Sequence, residues 1–222
     1  MNDSGVSDLS YPSFFPSPPE TCRDEGRSWY FYLAEIALKR LINDVMQHQF
    51  VLQSRPRLFE TTAIFEEQLA EWMQSLPPML SLETPDSEDD ILKFILRGHL
   101  SKCQEVIYWP FLVDCVGNSH RDPAADLYVS RGLQNCVDRI NKNEAGFYHR
   151  HHGTWLMLRA CSRTGLHLLA AHRCGQVPDL LPLGWKEAVQ KSIDMLVFWA
   201  DESYDAGECL STLQGLLNEV AD

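Results

Sequence analysis

Three histidines fall within four residues, at His149, His151 and His152. Imidazoles so close in sequence are the first place to look for a metal. The spacing argues against one. His149 and His151, two residues apart, point to different sides of a helix, and no carboxylate follows three or four positions on within the run. Capping, hydrogen bonding and packing are the expected roles, with no metal and no cofactor. A second group sets Asp201, Glu202 and Asp205 against His152, Arg159 and Arg163. If these sit on neighbouring helices and are buried, they form an ion-pair network that fixes register. The functional alternative makes His152 a general acid whose pKa a carboxylate raises. The third group is aromatic: six tryptophans at 29, 72, 109, 155, 185 and 199, with Tyr30, Tyr32, Tyr108 and Tyr148. Core packing is their default role. A pocket for an apolar ligand would draw on Trp155, Trp185 and Trp199. No complete catalytic motif is present: no GxSxG, no phosphate-cradling glycine loop, no HExxH and no dinucleotide fingerprint.

The elements that must position these groups are helices. Tyr148 to Leu169 is the stretch around which the chain is organised. Gly153-Thr154 supplies a break and an N-cap before a long apolar run. From there Met157, Ala160, Cys161, Thr164, Leu168 and Ala171 follow one helix face, while His152, Arg159, Arg163 and His167 follow another. Small residues on the packing face let a neighbouring helix come close. Upstream, Leu33, Ala37, Leu41 and Val45 predict a helix over about 28–50, ended by Arg55-Pro56. Phe65, Leu69, Trp72, Met73 and Leu76 predict a second over about 60–75, stopped by Pro77-Pro78. A third starts at the acidic run 87–90 and reaches about Val116, kinked at Pro110. Asp122-Pro123 starts a fourth, with Val129, Leu133, Cys136, Val137 and Ile140 as its stripe. Downstream of the central helix, which closes near Cys174-Gly175, Trp185 to Ala200 is the next. Ser203 caps a last helix carrying Leu210, Leu213 and Leu217. Alternating β patterns are nearly absent. The reading is all-α: a single irregular bundle of about seven helices over 25–222, behind an extended Pro-rich tail over 1–24.

Composition narrows the function. The 222 residues carry a formal net charge of −12, which repels phosphate and argues against direct binding of nucleic acid. The seven cysteines show no CxxC or CxC pair, so a structural zinc site is not expected. A dispersed, odd set fits a reduced intracellular compartment. No signal peptide and no membrane span are expected.

Four segments carry a resemblance: SWYFYLAEIALKRLIN from Ser28, HRHHGTWLMLRACSRTGLHLLAA from His149, LPLGWKEAVQ from Leu181 and WADESYDA from Trp199. They resemble the later part of the fungal-specific transcription factor domain. That is the regulatory middle homology region of fungal binuclear zinc-cluster regulators. HRHHGTWLMLR is the most specific element. The resemblance implies an all-α regulatory domain of nuclear proteins that inhibits activity or senses ligands. Without the resemblance, the expected place is the cytoplasm. The family's zinc cluster needs six cysteines near the N-terminus and a basic linker. Neither is found here, so zinc and DNA contact do not carry over, and the chain is expected to start partway into the domain.

The leading expectation is therefore a transcription-regulatory domain without its own DNA-binding module, linked to secondary metabolism and acting through protein partners or a small apolar ligand. An enzyme is the runner-up: a cyclase or pericyclase holding its substrate in an aromatic helical pocket, with His152, Arg159 and Tyr148 as the residues to test. A homodimerisation module is the third reading.

Overall fold

Apolar residues at helical spacing become helices throughout. In the computed structural model the described residues are 26–49, 55–85, 89–118, 120–150 and 153–221. They form seven α-helices joined by short 3-10 turns, with no strand among them. The Pro-rich tail, with Phe14 and Phe15, lies outside the described residues. The chain divides into two compact units, 1–103 and 104–222, where the sequence reading has one domain over 25–222.

The first unit holds α1 (Gly26–Gln49), α2 (Arg55–Ser75) and the first half of α3 (Ile91–Gly117). The buried line of α1 is Ala34, Leu38, Leu41 and Val45, not the expected Leu33, Ala37, Leu41 and Val45. A strict spacing of four overshoots the 3.6-residue turn and drifts round the helix, so the buried line alternates steps of three and four. Helix α2 begins at Arg55 and includes Pro56, which the sequence reading took as a terminator. Proline is favoured in a first turn, where its missing N–H has no intrahelical partner to lose. Trp72 is 1% exposed, and its indole Nε1 donates to the Ala34 carbonyl at 3.1 Å, joining α2 to α1. Met73, expected in the same stripe, is exposed. Asp90 caps α3: its Oδ1 accepts from the Leu92 and Lys93 amides, both at 3.1 Å.

The second unit holds the rest of α3 with α4 (Asp126–Asn143), α5 (Thr154–Arg173), α6 (Trp185–Trp199) and α7 (Tyr204–Ala221). Pro110 lies inside α3, and the helix continues to Gly117. Asp122 accepts from the Ala124 amide at 3.1 Å and opens the 3-10 turn that leads into α4. Arg121 grips Asp126 (2.7–2.9 Å) and Asp179 (2.7–2.9 Å), tying the start of α4 to the turn before α6. That guanidinium holds the Asp179 carboxyl below the usual carboxylate range.

Helix α5 packs on α4, α6 and α7, the central position that its sequence implied. Its N-cap is Gly153, with Thr154 as the first helical residue. Met157, Cys161, Thr164, Leu168 and Ala171 are buried as expected, and the packing face widens to Leu158, Ser162, Gly165 and Leu169. A β-carbon at Gly165 would stand 3.3 Å from Leu213 Cδ2 of α7. The helix ends at Cys174, followed by Gly175 at φ +67°, the left-handed position that glycine fills without steric cost.

Glycine matters in a different way at Gly132 of α4. A β-carbon there would stand 3.1 Å from Tyr108 Cβ and 3.1 Å from Leu112 Cδ1 of α3. Alanine is worth up to about 1 kcal/mol more than glycine in a helix interior, but overpacking costs about 1–3 kcal/mol. Gly132→Ala is therefore expected to lower stability by about 1 kcal/mol, read as a lower urea midpoint with an unchanged slope. A raised midpoint would show that α3 and α4 can yield there.

Candidate functional site

Three helices of the second unit border a pocket of about 150 Å³ that opens to solvent. Helix α5 supplies Trp155, Leu158, Arg159 and Ser162, at spacings of three, one and three, which fall on one face. Helix α6 supplies Leu196. The turn before α7 and its first two turns supply Ser203, Asp205, Ala206 and Cys209. Leu158, Leu196 and Ala206 are buried and make the floor apolar. The Ser162 hydroxyl donates to the Leu158 carbonyl at 2.7 Å, so it is satisfied within its own helix. At the mouth, Arg159 Nη2 donates to Asp205 Oδ2 at 3.2 Å, and both side chains are exposed, at 72% and 70%.

The expected pocket tryptophans do not converge. Trp155 lines the cavity and is 44% exposed. Trp199 meets it edge to face, with ring centroids 5.8 Å apart, but is itself 1% exposed and acts as core. Its Nε1 donates to the Phe147 carbonyl at 2.6 Å. Trp185 lies at the other end of α6, about 20 Å from Trp199 at 1.5 Å per residue. It stacks on His172 at 4.9 Å. Trp185 and Trp199 sit fourteen residues apart, and one helix cannot bring such positions to one site. Of the enzyme candidates, Arg159 is in the cavity wall. Tyr148 is outside it, with its ring edge-on to Phe198 at 5.3 Å. His152 lies outside the described residues, as does His151. His149 is exposed, and its carbonyl accepts from Thr154 Oγ1 at 3.4 Å, linking the loop to α5. Among the described residues no three His, Cys, Asp or Glu side chains are grouped to hold a metal ion.

The expected buried network between the two charged sets is not what forms. Among the described residues only Arg159–Asp205 pairs across them, and that pair is exposed. Glu202 takes Arg150 instead, and Arg163 turns the other way. The buried network is centred on Glu105 of α3, a residue the sequence reading passed over. Its carboxylate is 5% exposed and accepts from Arg163 Nε (2.6 Å) and Nη2 (3.0 Å) on α5 and from Arg139 Nη1 (3.0 Å) on α4. Burial pulls the Arg139 pKa down, and the Glu105 charge pushes it back up. One signal was present: Glu105 stands between Cys103 and Val106–Ile107, inside an apolar run. A charge in such a run either breaks the helix face or meets a partner.

Around this network burial pushes the Cys136 and Cys161 thiols up to about 12, with the Glu105 charge adding to the effect at Cys136. Burial raises Cys103 similarly, to about 12. The thiolate is the nucleophile, so these three should resist iodoacetamide at pH 8 in the folded protein. Among the six described cysteines, half-buried Cys174 and Cys209 should be modified first, as followed by peptide mass spectrometry. Labelling of Cys161 ahead of Cys209 would contradict the packing of α5.

Among the described residues no helix is long and apolar enough to cross a membrane. Comparison of the chain with family models, with curated proteins and with solved structures finds no match.

Proposed function

We propose that the chain is a regulatory module of the fungal-specific transcription factor type, binding the apolar ring of a small ligand in the α5–α6–α7 pocket. It passes the effect to protein partners and makes no contact with DNA itself. The family part of this reading rests on the HRHHGTWLMLR block and its companion segments. The binding part rests on one observation: a pocket of about 150 Å³ with an apolar floor of Leu158, Leu196 and Ala206, with no histidine among its described lining residues. A space of that size has room for a single ring. The net charge of −12 fits partner-dependent action and works against phosphate contact.

A route to a partner is also at hand. Trp155 belongs to both the cavity and the surface. Around the same end of the unit Leu156, Phe198, Tyr148 and Tyr204 are exposed, at 74%, 51%, 49% and 81%. Large apolar side chains grouped in this way mark interaction surfaces.

Toluene is the direct probe. It should raise the melting temperature of the full chain in a concentration-dependent way, because a ligand that binds only the folded state stabilises it. Ala206→Leu fills the cavity from its floor. That variant should lose the toluene effect while gaining about 1 kcal/mol of stability of its own. A toluene shift that survives Ala206→Leu places the binding elsewhere and defeats the assignment.

A further inference from the structure

The mouth of the cavity narrows the ligand further. Resting on the reading of the cavity as a ligand site, the geometry points to a zwitterionic molecule with one aromatic ring, the chemical class of the free aromatic amino acids. The floor of Leu158, Leu196 and Ala206 offers only apolar contact, and the volume suits one ring. Apolar lining alone would take any hydrocarbon, so the selectivity must lie in the polar groups at the rim.

The charged groups there are one cation and one anion, beside the Ser203 hydroxyl and the Cys209 thiol. Arg159 stands on the α5 wall and Asp205 on the α7 wall. A single contact joins them, Nη2 to Oδ2 at 3.2 Å. A guanidinium has five donor hydrogens and a carboxylate about four acceptor positions, so each keeps most of its capacity. Arg159 Nε and Nη1 and Asp205 Oδ1 make no hydrogen bond among the described residues. The pair is exposed on both sides, and such pairs hold each other weakly.

Ligand charge decides which class fits. A simple carboxylate would gain Arg159 but face Asp205 and the net −12 of the chain. A simple ammonium would gain Asp205 and crowd Arg159. A molecule carrying both charges on one carbon gives a carboxylate to Arg159 and an ammonium to Asp205. Its net charge is zero, so the chain as a whole does not repel it. Its ring then enters between Leu158 and Leu196. Trp155, one turn before Arg159 and half exposed, adds an aromatic wall for the ring.

The experiment is titration calorimetry on the full chain with L-phenylalanine, phenethylamine, 3-phenylpropanoate and toluene. L-Phenylalanine should bind at least about tenfold more tightly than either singly charged analogue, one charge-assisted hydrogen bond being worth roughly that factor. The double variant Arg159→Gln, Asp205→Asn should remove this advantage, leaving L-phenylalanine no tighter than phenethylamine or 3-phenylpropanoate. Toluene binding as tightly as L-phenylalanine would overturn the ligand class and leave the cavity assignment standing. Failure of all four probes, toluene included, would overturn the cavity assignment itself. Unaltered L-phenylalanine affinity in the double variant would overturn the role of the rim pair.

Discussion

Glu105→Ala should cost about 3–5 kcal/mol of folding stability, the effect expected when one partner leaves a buried ion cluster. The loss of a few methylenes is not the cause. Glu105 meets both Arg139 and Arg163. Arg163 is 41% exposed and can turn to water once its partner is gone. Arg139 cannot do so readily: it is 5% exposed on α4 and loses the anion that its Nη1 meets at 3.0 Å. Since arginine does not release its proton in proteins, the cost falls on the fold. Urea unfolding followed by tryptophan fluorescence measures it, and an unchanged slope would show that the unfolded state is not involved. Two further variants separate charge from shape. Glu105→Gln keeps the outline and loses the charge, so it should lie close to Glu105→Ala. Glu105→Leu combined with Arg139→Met removes both buried charges and should recover most of the loss, because a buried pair replaced by apolar groups of similar volume is often neutral. If Glu105→Gln is as stable as the parent protein, the cluster contributes hydrogen bonds and no charge compensation.

The same cluster marks where sequence stops being a guide. Helix existence was legible because each helix buries one face, and burial writes a 3.6-residue period into the chain. Thr154 to Arg173 is the clearest case: five of its six expected packing residues are buried. Starts were legible where capping chemistry is local, as at Asp90 and Asp122. Phase was not, since in α1 the apolar residues on both sides of the true line made a neighbouring line look equally good. The α2 start was misread because Pro56 is equally at home after one helix and inside the first turn of the next. Partner choice was least legible. Arg159 and Arg163 lie four residues apart and look equivalent in a string, yet one meets Asp205 of α7 and the other Glu105 of α3. About 40° of rotation between them is enough to face different helices. The cavity was legible only through Trp155 and Arg159. Its floor is Leu196 and Ala206, ordinary core residues whose role as lining comes from the gap between helices and from no property of their own.

Trp199→Ala should be the other large loss, about 3–5 kcal/mol, the range for removing a buried large aromatic. Trp199 ends α6 at 1% exposure, and three rings or loops depend on it. Trp155 meets its edge at 5.8 Å, Phe198 lies at 5.1 Å, and the Phe147 carbonyl takes its indole N–H at 2.6 Å. Phe147 is itself fully buried and anchors the loop that leads towards α5. Trp199→Phe is the informative companion. It keeps a ring in place and removes the N–H, leaving the Phe147 carbonyl without that donor, which costs about 1–3 kcal/mol for a buried group. The difference between the two variants then gives the packing share. Trp155→Ala is the contrast on the other side of the same contact. At 44% exposure its loss should cost less, about 2–3 kcal/mol, scaling the same 3–5 kcal/mol by the buried share. Its loss should also open the cavity wall and weaken toluene binding. This opposite ordering of Trp199 and Trp155 on stability and on ligand affinity is what separates a scaffold residue from a binding residue here. Equal losses of stability in the two variants would mean that the rings form one core and that the cavity has no independent wall.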